Sequence, residues 1–176
     1  MSQAAGLREA ASTTPEQIVE AFQRQEILLL QSGRYREWLA MLTDDVRYWV
    51  PVLLERERRD EMLGGDDEMA WVNDDREKLT LRVERVVSGY AVEETPPVRL
   101  RYFVQNLQVT PSADGGEIAV ISNLLIYRTR RDQEGFYVGG REDVLRAVEG
   151  VWKLARRKVV FDKAVLGPFT HSWIFF

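Results

Sequence analysis

A carboxylate, a phenol and an imidazole that share one cavity can move protons between neighbouring atoms of a substrate, as in isomerisation or dehydration. Asp44, Asp45 and Tyr48 stand close together in this chain, and Tyr102 and His171 could meet them from distant segments. Against that reading, carboxylates near helix ends are more often caps or surface charges, and both tyrosines fall at periodic core positions. His171 belongs to a C-terminal tail. Other chemistries find less. Gly64-Gly65, Gly115-Gly116 and Gly139-Gly140 lack the spacing of a phosphate-cradling loop, and no G-x-S-x-G elbow accompanies the single histidine. The chain has 0 Cys and 1 His. A Rieske cluster takes two of each, and catalytic zinc sites and the iron facial triad also draw on several such ligands. This chain alone builds none of them, and thiol nucleophiles and disulfides are excluded. No catalytic, cofactor or metal residue is assigned.

The elements that would position the candidates turn on residues 35–51, YREWLAMLTDDVRYWVP. Tyr35, Trp38, Leu39 and Leu42 form one helical stripe. After Asp44 and Asp45 the period falls to two, with Val46, Tyr48 and Val50 on one face until Pro51. A short helix is thus expected to feed a strand through a two-aspartate corner. Upstream, Thr14, Pro15 and Gln17 have capping-box spacing for a helix over 15–31, with Ile18, Ala21, Phe22, Gln25, Leu28 and Leu29 inward and Gly33 as the stop. Residues 52–74 mix charges of both signs around Gly64-Gly65 and read as a long loop with a contact role. Asn73 or Asp74 should cap a third helix, striped by Leu79, Val83, Val86 and Val87 and stopped by Gly89. Residues 90–97, with Pro96-Pro97, form a connector.

From residue 98 onward the pattern is β. Residues 117–131 are apolar on both faces, so that strand must be covered on both sides. Glu149-Gly150 signals a tight hairpin, and Gly139-Gly140 a bulge or close backbone approach. Counting residues 46–50, about five long strands curl around three helices. The class is α+β, with N-terminal helices packed on a long, curled, mainly antiparallel sheet. One domain over residues 14–176 follows a small, polar segment, 1–13, expected to be mobile.

Composition, 45% hydrophobic and 30% charged, is that of a soluble globule. No apolar run approaches the roughly 20 residues of a membrane span, and the N-terminus lacks signal-peptide order, so no membrane is expected and the cytoplasm is the expected location. A net charge of −4 argues against nucleic acid. The arginines Arg128, Arg130, Arg131, Arg156 and Arg157 suit either an acid-paired sheet face or a protein partner bearing carboxylates. Trp173, Ile174, Phe175 and Phe176 would each forgo roughly 1.5–3 kcal/mol in water, so the tail must dock on its own sheet or on another subunit.

Residues 35–51, 122–130 (SNLLIYRTR), 138–146 (VGGREDVLR), 151–166 (VWKLARRKVVFDKAVL) and Ile174-Phe175-Phe176 resemble, in order and spacing, the small or beta subunit of bacterial aromatic-ring-hydroxylating dioxygenases. The resemblance runs from about Glu20 to Phe176 and departs at Lys163 and in the acidic loop 60–69. It implies a cystatin-like or NTF2-like fold. It also implies an α3β3 oxygenase whose alpha subunit holds the Rieske [2Fe-2S] cluster and mononuclear Fe(II), while beta is mainly structural. Such an enzyme adds O2 to an aromatic hydrocarbon to give a cis-dihydrodiol, with electrons from NAD(P)H through a reductase and usually a ferredoxin. No catalytic residue carries over. The expected contacts with alpha and with other beta subunits are the loop 52–71 with Trp71, Arg128, Arg130, Arg131, Arg156, Arg157, Trp173, Phe175 and Phe176. A stand-alone isomerase or dehydratase, or an apolar-ligand binder, is the alternative.

Overall fold

The computed structural model describes residues 13–52, 70–88, 98–163 and 175–176. Expectations for residues 1–12, the acidic loop 60–69, Gly89, Pro96-Pro97, His171, Trp173 and Ile174 lie outside them.

Helix α1 spans Pro15–Gln31. Thr14 Oγ1 accepts from Gln17 N at 3.3 Å, and Gln17 Oε1 accepts from Thr14 N at 2.9 Å, the reciprocal capping box read from the sequence. Gly33, at φ +71°, turns the chain out of the helix. The buried face is rotated from the expected one: it comprises Val19, Phe22, Gln23, Glu26, Leu29 and Leu30, whereas Leu28 is 54% exposed. An apolar count turned the helix wrongly because a glutamate occupies the middle of its inner face.

Helix α2 is Tyr35–Ala40, and strand β1 already begins at Leu42, running Leu42–Pro51. The corner is therefore Met41, and Asp44 and Asp45 lie within the strand. Leu42 and Thr43 are both buried and Asp44 and Asp45 both exposed, and the pairing register slips between Leu42 and Arg47. That irregularity hides the strand's first half from a period-two search.

Strand β2, Ala70–Asp74, pairs antiparallel with β1 where a loop was expected. It is short and lies at the sheet edge. Helix α3, Arg76–Val87, is capped by Asp75, whose Oδ1 accepts from Lys78 N at 2.9 Å. Asp74, an expected cap, is instead buried against Arg82 at 2.7 Å. Strands β3 (Arg99–Pro111), β4 (Glu117–Arg130), β5 (Gln133–Val148) and β6 (Val151–Phe161) form an antiparallel meander. Glu149 and Gly150 both have positive φ, as a two-residue hairpin with matching twist requires.

The sheet has six strands in the order β2-β1-β6-β5-β4-β3, one more than expected, and its sole parallel pair among the described strands is β1 with β6. Alternation along β4 sends Ile118, Val120, Ser122, Leu124, Ile126 and Arg128 to the helix-covered face. These join Trp38, Tyr48, Leu79, Val83 and Phe161 in one core. Among the described residues, no helix is long and apolar enough to cross a membrane.

Candidate functional site

The helix-covered face of the sheet buries four charges, two of each sign. Register sets Tyr48 of β1 beside Arg157 of β6, and Arg157 opposite Asp143 of β5. Arg141 lies two residues from Asp143 and so shares its face. Glu26 descends from α1. Exposure is 1% for Glu26, 4% for Asp143, 2% for Arg141 and 0% for Arg157, so their pairing has little solvent to screen it.

Arg157 forks onto both carboxylates. Its Nη1 and Nη2 donate to Glu26 at 2.8 and 2.9 Å, and its Nε and Nη2 to Asp143 at 2.7 and 2.8 Å. Trp38 Nε1 adds a donor to Glu26 at 3.1 Å, and Arg141 Nη1 another at 3.3 Å. Burial pushes the Glu26 pKa upward, but Arg157, Arg141 and these hydrogen bonds outweigh it and hold the carboxyl at about 2. Asp143 and Glu26, both resting on Arg157, drive its own proton affinity well above the usual arginine value despite burial. Glu26 is therefore no base near neutral pH.

The two tyrosines are committed as well. Tyr102 Oη donates to the Phe175 carbonyl oxygen at 2.8 Å. Tyr48 Oη accepts from Phe176 N at 2.6 Å and donates to the Phe176 oxygen, which also receives Arg157 Nη1 at 2.8 Å. Burial, aided by Glu26 and opposed by Arg157, raises the Tyr48 pKa to about 12, and burial raises that of Tyr102. The Phe175 ring stacks near Trp38 at 4.6 Å and Tyr35 at 5.4 Å. The Phe176 ring sits edge-on to Phe161 at 4.8 Å and Tyr137 at 6.1 Å. The chain's own residues thus fill the chamber.

Tyr48 and Tyr102 share this chamber, but Asp44 and Asp45 do not join them. Asp45 is exposed and bound to Arg146 at 2.7 Å, a contact that together with Thr43 lowers its pKa. With Asp44, Asp75, Arg47 and Arg146 it lines a surface cleft of about 460 Å³. Among the described residues no three histidine or carboxylate groups converge in a way that could hold a metal ion.

The residues expected at subunit contacts divide by depth. Trp71, on edge strand β2, is 39% exposed, and Arg156 is exposed on β6. Arg130 ends β4 and Arg131 forms the turn after it, with φ 55°. Arg128, Arg157, Phe175 and Phe176 are buried within this chain. Sequence reasoning missed Glu26, Arg141 and Asp143. The available signals were a lone glutamate four residues after Phe22 and three before Leu29, and an Arg-x-Asp step inside a strand of buried alternation.

The opposite face of the sheet is uncovered by any described element. Phe103 pairs with Leu125, and Leu125 with Val138, so three strands contribute one apolar row. Tyr127 and Phe136 form the next, their rings 5.2 Å apart. Phe103 is 50% exposed, Ile121 52% and Phe136 55%. Beside them, Trp49, Ile121, Glu142, Arg156 and Lys158 line a groove of about 640 Å³.

Residues 25–167 match the family described as the ring hydroxylating beta subunit. Among solved structures, the chain is similar to naphthalene 1,2-dioxygenase with indole bound in its active site, with 27% identity, TM-score 0.77, and coverage of 93% of this chain and 85% of that one. It is also similar to the beta subunit of benzoate 1,2-dioxygenase from Burkholderia mallei, with 21% identity, TM-score 0.69, and coverage of 86% and 92%. An NTF2-like protein with a cystatin-like fold from Novosphingobium aromaticivorans matches at 12% identity and TM-score 0.58, covering 86% and 84%. The fold is therefore the NTF2-like α+β fold expected from the sequence. With a family match over most of the chain, this protein belongs to the ring-hydroxylating dioxygenase beta subunits.

Proposed function

We propose that the chain is the non-catalytic, structural subunit of an α3β3 terminal oxygenase that adds O2 to an aromatic hydrocarbon and yields a cis-dihydrodiol. In this reading the alpha subunit carries the Rieske [2Fe-2S] cluster and mononuclear Fe(II), and electrons arrive from NAD(P)H through a reductase and a ferredoxin. Neither iron group fits this chain, whose 0 Cys and 1 His cannot supply their ligands.

The observation that carries the proposal is the doubly apolar strand β4. Its inner face is covered by the chain's own helices, while Ile121 and, further along the same outer face, Phe103 and Phe136 remain open to solvent. Such a surface suits a permanent contact, which is typically large, apolar at its centre and anchored by aromatics and arginines. Trp71, Arg130, Arg131 and Arg156 stand where they could rim contacts with alpha or with neighbouring beta subunits. Arg128, Arg157, Phe175 and Phe176 support the subunit from within.

Co-expression with a Rieske-type alpha subunit tests the reading. The expected product is a complex of equal alpha and beta content with three copies of each by mass, iron confined to alpha, and arene turnover only in the complex. Dehydratase or isomerase turnover by the purified single chain, lost on Asp45→Asn, would replace this reading with the stand-alone enzyme.

A further inference from the structure

Cross-strand register decides which side chains stand side by side on the outer face of the sheet. One row runs from Arg47 of β1 through Arg156 of β6 and Val144 of β5 to Ala119 of β4, and the next from Trp49 through Lys158 and Glu142 to Ile121. The two rows line the groove of about 640 Å³. The second row is balanced, since Lys158 lies over the Trp49 ring at 5.4 Å and meets Glu142 at 3.6 Å. The first is not: it sets two exposed guanidiniums directly opposite each other and follows them with two apolar residues. Like charges so placed destabilise a sheet. Of the carboxylates in the adjoining cleft, Asp45 and Glu117 hold Arg146, and Asp75, which feels the charge of Arg47, caps α3. Among the described residues, neither Arg47 nor Arg156 forms an ion pair.

We propose that this groove receives a carboxylate-bearing segment of the alpha subunit, an Asp or Glu side chain lodged between Arg47 and Arg156 with an apolar neighbour against Ile121. Two guanidiniums can both donate to one carboxylate, which turns their mutual repulsion into attraction for the guest. Val144, Ala119 and Ile121 offer the carbons beside it an apolar floor, as an anchoring charge in a desolvated patch requires. In a chain of net charge −4, this local excess of positive charge selects an acidic partner. A protein segment fits better than a free anion, because Ile121 shares its strand face with Leu125, whose row with Phe103 and Val138 extends the apolar surface beyond the groove. The inference rests on the structural-subunit reading and specifies the chemistry of its contact.

The test co-expresses a tagged alpha subunit with the parent chain and a variant together, and mass spectrometry counts each form in the purified complex. Relative to its share in the lysate, Arg156→Glu should enter at least about tenfold less often than the parent. Arg24→Glu, an equal change of charge at an exposed position of α1, should enter in proportion. On its own, the Arg156→Glu chain should melt at or above the Tm of the parent, since the substitution replaces a repulsion from Arg47 by an attraction. Proportionate entry of Arg156→Glu overturns the proposal, as does equal exclusion of Arg24→Glu. A Tm for isolated Arg156→Glu several degrees below the parent also overturns it, because the pair would then serve the fold. Failure of the parent itself to accompany alpha is a separate result, which removes the structural-subunit reading and this inference with it.

Discussion

Glu26 is the residue on which the interior turns, since it joins helix α1 to both Arg157 and Arg141 and to Trp38. Replacing it with glutamine leaves two buried guanidiniums facing one carboxylate, and removing one member of a buried pair costs about 3–5 kcal/mol. We expect Glu26→Gln to lower the urea unfolding free energy by that amount. The same residue sets an acid limit. Its folded carboxyl sits at about 2 against an ordinary 4.5, so on acidification the unfolded chain takes up the proton first. The associated stabilisation, of order 3 kcal/mol, is complete above about pH 4.5 and drains away as the pH falls towards 2. Unfolding curves between those values should be steeply pH-dependent for the parent and flatter for Glu26→Gln. Equal slopes would mean that Glu26 is not the group responsible.

The two adjacent glycines of β5 behave differently at the level of the strand. A Cβ on Gly139 would stand 2.1 Å from the Val160 carbonyl oxygen, whereas one on Gly140 meets nothing within 4 Å. Gly139→Ala should therefore force β5 from β6 and cost several kcal/mol, while Gly140→Ala should stay within about 0.5 kcal/mol, as thermal melts of the two would read. The close approach was foreseeable from a glycine pair inside an alternating strand, though which of the two it served was not. Elsewhere, legibility followed the regularity of the local signal. Thr14, Gln17 and Gly33 marked α1 to the residue because caps act within a few positions of themselves. The start of β1 and all of β2 escaped notice, the first because a register slip breaks its alternation, the second because five edge residues carry too little pattern.

Across the whole molecule, two faces of one sheet have opposite fates. The inner one is closed by the chain's own Phe175 and Phe176, and no described element covers the outer one. Phe136→Lys or Ile121→Lys, each on the exposed side, should leave the melting temperature of the isolated chain within a few degrees and abolish co-purification with the alpha subunit. Retained co-purification would move the contact to another surface. That the chain lacks redox ligands was legible from its cysteine and histidine counts alone, and its architecture from the switch of hydrophobic period. The inner charge cluster was not, because Glu26, Arg141, Asp143 and Arg157 come from three elements and become neighbours only through register.

The parallel pairing of β1 with β6 joins residues such as Arg47 and Arg156 that are far apart in the chain. Antiparallel neighbours can zip up as they leave the ribosome, at roughly 5–20 residues per second, but β1 has no central partner until β6 has been made. Helix α1 likewise waits for Arg157 to neutralise Glu26. The two halves of the sheet therefore join only once β6 is available, and a chain interrupted before β6 carries an open sheet edge for chaperones to guard.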